Sequence, residues 1–306
     1  MTLLLTGASG FIGKNFLESA PKDLEIIAIY NNSNDIGKFV KSKKLSNVVL
    51  HKCDLTKKEE TAKLFKKIGN EFSHCLYLAG NVDIPLSAID PLQDLIKNAG
   101  TVINFLQNCK FQRFVYMSSA AVYDGNNGVV TVNTGLNPKQ PYCISKLAAE
   151  QYVKFFHKSG RIEEYVIIRF GGAYGRYSPK KFVSKLVNEV SVQGRKSIEI
   201  YGDGTNIVNL MYAKDTAKAL LAALNSKKSN LTCNLGQDNM TITQLVQRVG
   251  KIFGRKMKIK YIPKKAEQKY ITFSLQSDFN KIFNFKPEHS FDQGIKEFSE
   301  SMKNEN

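Results

Sequence analysis

A chain of 306 residues with 42% apolar and 10% aromatic side chains can bury a full core, which excludes a disordered or fibrous architecture and leaves room for a large α/β domain with a smaller lobe. The formal charge of +17, from 44 basic against 27 acidic residues, admits an anionic small substrate, an anionic surface or nucleic acid as partner, although lysine pairs such as Lys57-Lys58 and Lys227-Lys228 read as solvated helix faces. No apolar run approaches the roughly 18 residues of a membrane span, and five scattered cysteines without a C-x-x-C pair fit a reducing, cytoplasmic setting with no metal site.

In chain order, the first half alternates short apolar runs with amphipathic stretches, the pattern of repeated βαβ units. The runs predict strands over 2–6, 25–30, 48–51, 74–78, 113–118 and 165–169. Apolar residues at three- and four-residue steps predict helices over 11–19, 57–68, 92–109 and 141–158. Together these predict a doubly wound parallel sheet, a Rossmann-type α/β fold, over residues 1–170. Beyond it, glycines and prolines punctuate the chain as loops do, so 171–306 is expected to form mainly a substrate-binding lobe. A strand-helix pair near 207–225 is expected to return to the sheet domain.

The segment Thr6-Gly7-Ala8-Ser9-Gly10-Phe11-Ile12-Gly13 follows the first strand and opens the first helix, the context in which spaced glycines indicate a dinucleotide site. Gly7 permits a tight turn, Gly10 lets backbone approach a pyrophosphate, and Gly13 lets helix pack on strand. The helix N-terminus offers free N–H groups to the phosphates. An acidic residue about 20 positions further on usually holds the ribose 2′-OH, but here the second strand ends Tyr30-Asn31-Asn32-Ser33. With no carboxylate there, Ser33 and Lys38 are available to a 2′-phosphate, so the expected cofactor is NAD(P)(H), with NADP(H) favoured.

The fifth strand ends Met117-Ser118-Ser119, and the helix after it opens Tyr142-Cys143-Ile144-Ser145-Lys146. Four residues apart, Tyr142 and Lys146 share one helix face near a strand end, where doubly wound sheets bind ligands. A free phenol has a pKa near 10, and a neighbouring ammonium lowers it by favouring phenolate. Tyr142 is therefore expected to exchange the proton, Lys146 to hold the nicotinamide ribose, and Ser119 to hydrogen-bond the reacting oxygen.

These segments resemble the extended short-chain dehydrogenase/reductases, of the NAD-dependent epimerase/dehydratase type. So do Asp54-Leu55-Thr56, Leu76 to Gly80, Asn98 to Thr101, Ser118 to Tyr123, Arg169 to Gly175, Tyr201 to Gly204, Tyr212 to Asp215 and Phe283 to Pro287. The resemblance implies that Asp54 and Leu55 flank the adenine, that Leu78, Ala79, Gly80 and Phe170 line the cofactor cleft, and that Asn98 lies near the nicotinamide ribose. Asp54 has an alternative as a helix N-cap. The resemblance also implies that Asn81, Ser119, Ala120, Tyr142, Gly172, Arg176, Tyr201 and Asn209 face substrate.

Members of that family act mostly on nucleotide-activated sugars, so the resemblance implies a small-molecule substrate and a homodimer; the apolar runs are too short for a membrane partner, and the intact Ser119, Tyr142 and Lys146 argue against a nucleic-acid one. Its 4,6-dehydratases carry an Asp-Glu pair where this chain has Ala120-Ala121, so dehydration is not expected. The members often have Arg-Asp where this chain has Val208-Asn209, Asn where it has Gly172, and Arg-Pro-Gly-Asp where it has Ile262-Pro263-Lys264-Lys265. Either lysines such as Lys264 and Lys265 serve instead, or the substrate differs. The expected activity is epimerisation of a nucleotide sugar through transient oxidation of a hydroxyl. The alternatives are an NADPH-dependent 4-keto-sugar-nucleotide reductase and, from another class, a dinucleotide-sensing or RNA-binding protein.

Overall fold

The computed structural model describes residues 2–33, 35–263 and 272–304. In the first half, β1 (Thr2–Thr6), α1 (Phe11–Ser19), β2 (Glu25–Tyr30), α2 (Ile36–Ser42), β3 (Val48–Lys52), α3 (Lys58–Ile68) and β4 (Glu71–Tyr77) follow in order. Next come α4 (Ile84–Ile89) and α5 (Pro91–Leu95), which runs through a π-helical turn at Ile96–Gly100 into α6 (Thr101–Leu106). The strand β5 (Lys110–Ser119) leads through a short 3₁₀ turn to β6 (Gly128–Val130), α7 (Pro141–Lys158) and β7 (Ile162–Phe170). The predicted 92–109 helix is thus a composite, interrupted by a π turn at Asn98.

The second half contributes β8 (Ala173–Tyr174), α8 (Phe182–Val187), β9 (Ser197–Tyr201), β10 (Ile207–Tyr212), α9 (Ala213–Asn225), β11 (Leu231–Leu235) and β12 (Asp238–Thr241). It ends with α10 (Ile242–Ile252), β13 (Lys258–Ile262), β14 (Phe273–Leu275), α11 (Phe279–Phe283) and α12 (Phe291–Lys303). A seven-stranded sheet has the order β11-β7-β5-β4-β1-β2-β3, with every pairing parallel. Such a sheet is covered on both faces, which is why Leu3, Leu4 and Leu5 are all fully buried although they point to alternate sides.

The expected returning pair is half corrected. The helix α9 does pack on α1, against the large sheet. Its strand β10 instead pairs with β8 and β12 in a separate three-stranded sheet, and the strand that joins the large sheet beside β7 is β11. Leu231-Thr-Cys-Asn-Leu235 carries no clear period-2 alternation, because both its faces are covered, so pattern reading passes over it. The remaining lobe closes over its own apolar cluster, including Leu186, Val190, Ile200, Leu245 and Phe298.

The order of the large sheet reverses direction between β1 and β4, and ligands in such folds bind at that switch, beyond the strand C-termini. A cavity of about 1160 Å³ lies there, walled by the ends of β1, β4, β5 and β7 on one side and by residues of α8 and β10 on the other.

Candidate active site

The glycine turn is shaped by backbone approach. Gly7 has a φ of 69°, in the left-handed region, and a methyl group at Gly13 would sit 2.3 Å from the Gly7 carbonyl oxygen. Only glycine brings α1 this close to the turn. The hydroxyl of Thr6 accepts from the Leu78 and Ala79 backbone N–H groups, both at 3.0 Å, and so ties the ends of β1 and β4 together. No side chain caps α1 at Gly10, which leaves its first-turn N–H groups for a ligand. These features fit a dinucleotide pyrophosphate.

Most of the residues singled out in the sequence line this one cavity. They are Gly7, Ser9, Gly10, Phe11, Ile12 and Gly13 of the turn, Tyr30 and Asn31 after β2, and Asp54 and Leu55 after β3. Leu78, Ala79, Gly80 and Asn81 follow β4, Phe170 and Gly172 mark the end of β7, and Ser119, Tyr142 and Lys146 complete the wall. Asp54 is not the N-cap of α3, which is Lys57. Its carboxylate instead accepts from the Thr56 N–H at 3.0 Å and hydroxyl at 2.7 Å.

At the inner wall the Tyr142 phenol neighbours the Ser119 hydroxyl, whose oxygen accepts from the Ala121 N–H at 3.1 Å. The ammonium of Lys146, one helical turn on, donates to the Met117 carbonyl at 2.9 Å and lies 4.5 Å from the centre of the Tyr116 ring. Here the electrostatic expectation is corrected. Burial pushes the Tyr142 phenol up to about 12, outweighing the Ser119 hydroxyl, which favours phenolate, and Cys143 and Asp94 add to the rise. Burial also lowers Lys146 to about 8, against the acidic Glu150 and Asp94. Desolvation opposes both charged forms, so without ligands Tyr142 is a neutral acid at pH 7.

Other expected site residues lie outside the cavity lining. Asn98 is buried behind Gly80, its Oδ1 without a partner among the described residues. Ser33 donates to Asp35, which also pairs with Lys14 at 2.7 Å, so a carboxylate stands just past β2 where the sequence suggested none. Ala120 packs under Tyr123, and Arg176 lies 3.9 Å from Glu18 and over the Tyr177 ring. Tyr201 is half exposed on β9. Asn209 is wedged against Gly171 and Gly236 and donates to Asn239 at 2.7 Å. Lys264 and Lys265 fall outside the described residues.

The structure adds cleft residues that the sequence reading missed: Gln93, Lys97 and Thr101 along one face of the α5–α6 helix, and Lys181 on the lobe side. The four-residue steps of the first three were a usable signal. Asp54 is the one carboxylate among the described residues that lines the cavity, and it sits at the β3 end, away from Tyr142. Among the described residues no group of His, Cys, Asp or Glu is placed to hold a metal ion, and no helix is long and apolar enough to cross a membrane.

Residues 3–236 match the NAD dependent epimerase/dehydratase family. The chain is 28% identical over 310 residues to an uncharacterized UDP-glucose epimerase of Bacillus subtilis, covering 96% of each chain. It is 27% identical to a putative UDP-glucose 4-epimerase of Methanocaldococcus jannaschii, covering 99% of each. A UDP-glucuronic acid 4-epimerase from Bacillus cereus, solved with UDP-glucuronic acid and NAD, shares the fold with a TM-score of 0.85 over 100% of both chains at 22% identity.

Proposed function

The chain belongs to the NAD dependent epimerase/dehydratase family, and on that footing we propose that it is a nucleotide-sugar 4-epimerase acting through Ser119, Tyr142 and Lys146. The observation that carries this reading is that Ser119, Tyr142 and Lys146 together line one wall of the cavity that begins at the uncapped glycine turn. The turn residues 7–13 would hold the pyrophosphate of NAD(P) and Lys146 the nicotinamide ribose. When bound, the oxidised nicotinamide supplies a hydride acceptor and a positive charge beside the phenol.

As the phenolate that the cofactor's charge and Lys146 would favour, Tyr142 takes the proton of the sugar 4-hydroxyl as the C4 hydrogen leaves as hydride; once the ketone has turned its other face the hydride returns to C4 and Tyr142 returns the proton. Ser119 donates to the reacting oxygen throughout, stabilising its partial negative charge. The high phenol pKa suits the second half-reaction, in which Tyr142 is the acid. Loss of water across C5 and C6 would need a base at the C5 hydrogen and an acid at the C6 hydroxyl. Ala120 and Ala121 stand where that pair would be, and no carboxylate lines that end of the cavity among the described residues, so dehydration is disfavoured.

For the cofactor, the lean toward NADP(H) rested on Ser33 and Lys38. With Ser33 engaged by Asp35 and outside the cavity lining, that support for NADP(H) falls away, and NAD(H) is the cofactor we propose. Purified protein given UDP-glucose or UDP-glucuronate with NAD is expected to produce the 4-epimer with no net change in nicotinamide absorbance. Stoichiometric consumption of NADPH by a 4-keto sugar nucleotide would instead establish the reductase.

We also propose a homodimer built on α5 and α7. Leu92 and Leu95 of α5 and Ile144, Tyr152 and Phe155 of α7 are large apolar side chains left exposed on helices that pack side by side. A second copy applying the same two helices would cover this patch through a two-fold contact. Phe155 is 57% exposed, so Phe155→Glu should not disturb the fold. Light scattering is expected to report a dimer for the parent chain and a monomer for this variant, a loss of association of about a hundredfold or more.

A further inference from the structure

Asp94 belongs to no motif recognised in the sequence, yet its carboxylate is only 2% exposed and lies against the catalytic helix. It accepts from Ser145 Oγ at 2.5 Å, from Asn81 Nδ2 at 2.7 Å and from Asn98 Nδ2 at 3.1 Å. Ser145 lies between Tyr142 and Lys146; its one hydroxyl hydrogen is shared between Asp94 and, at 3.0 Å, the Tyr142 carbonyl, and its oxygen accepts from Asn98 Nδ2 at 2.9 Å. Asn81 lines the cavity and Asn98 forms the π turn behind Gly80. All three partners are neutral donors, and among the described residues Asp94 has no ion pair. The three hydrogen bonds offset part of the cost of burying a carboxylate without a counter-ion.

We propose that Asp94 is a positioning residue that acts through charge: it clamps the turn of α7 bearing Tyr142 and Lys146 to the cavity wall and supplies the buried negative field in which both titrate. The proposal rests on the catalytic roles given above. The groups facing the pair are few. Tyr142 meets the Ser119 hydroxyl and Cys143, with its N–H donating to Ser87 Oγ of α4 at 3.2 Å. Lys146 meets the Met117 carbonyl and Tyr116 ring of β5, and Glu150 one turn on, whose own charge is paired with Arg169 at 2.8 Å. Asp94 is therefore the carboxylate near the pair that no cation already compensates.

The sign follows directly. Asp94 raises both Tyr142 and Lys146, so removing its charge lowers both. Asp94→Asn keeps the hydrogen-bonding capacity, since the amide accepts from Asn81 and Asn98 and donates to Ser145. Lys146, held at about 8 in the parent chain, then loses its ammonium at lower pH. NADH binding followed by its fluorescence reads this without turnover. The alkaline loss of affinity is expected to move down by about one pH unit in Asp94→Asn. It should stay in place in Ser145→Ala, which removes the shortest hydrogen bond but keeps the charge.

An unmoved midpoint in Asp94→Asn, or an equal move in Ser145→Ala, overturns the proposal. Should Asp94→Asn fail to fold, Asp94→Glu retains the charge and must keep the parent midpoint; a shift there is equally fatal. A parent chain that binds NADH with the expected pH response but epimerises no sugar nucleotide removes the proposed activity and leaves the Asp94 assignment standing. A parent chain that binds no NADH removes both.

Discussion

Tyr142→Phe is expected to slow epimerisation by about a thousandfold, the middle of the range for losing a positioned general acid and base. The ring of Tyr142 is buried, and phenylalanine fills the same slot, so the fold is not disturbed. What disappears is the oxygen that receives the proton from the sugar and neighbours the Ser119 hydroxyl. The glycine turn and Lys146 are untouched, so the dissociation constant for NADH should change by no more than about twofold. Initial rates from chromatographic product ratios, set beside NADH titrations, check both halves. A variant retaining more than about a tenth of the rate would take Tyr142 out of the chemistry.

Arg169→Leu is expected to cost about 3–5 kcal/mol of stability, the usual result of leaving one member of a buried pair alone. Glu150 is fully buried and receives Nε of Arg169 at 3.1 Å and Nη2 at 2.8 Å, together with the Ser118 hydroxyl at 2.6 Å. Nη1 of the same guanidinium donates to the Tyr123 hydroxyl at 3.0 Å, which donates on to Asn234 at 2.8 Å. Removing the guanidinium strands a carboxylate in the core between β5, α7 and β7. Pairing the change with Glu150→Gln removes that charge and should recover much of the loss. Urea unfolding of the two variants measures the difference, and a single-variant cost under about 1 kcal/mol would mean that water reaches Glu150.

The parts of the molecule visible in the sequence are those where one periodicity or one spacing decides. The strand-turn-helix around Gly7, Gly10 and Gly13 is local, and so is the four-residue step from Tyr142 to Lys146; both arrive in the cavity as read. The ionisation of Tyr142 was not visible, because a sequence shows the charge of its neighbour but not the burial that outweighs it. Asp94 reads as a surface residue in Asp90-Pro-Leu-Gln-Asp94 and becomes internal only when α7 lies across it. Ser33 is a similar case: its hydroxyl donates to Asp35, a pairing that no spacing in the sequence indicates.

The short parallel pair β6 and β14 joins Gly128–Val130 to Phe273–Leu275, segments nearly half the chain apart, with Gln276 N–H donating onward to the Val130 carbonyl at 2.9 Å. Nearby, Asp278 accepts from the Asn234 N–H at 2.6 Å. Closing such a distant seam carries a large loop-closure entropy, so it is expected to form after the local elements at its two ends. The two halves of the molecule therefore share a latch, and loss of the smaller lobe's structure would remove this tie to the segment that follows β5.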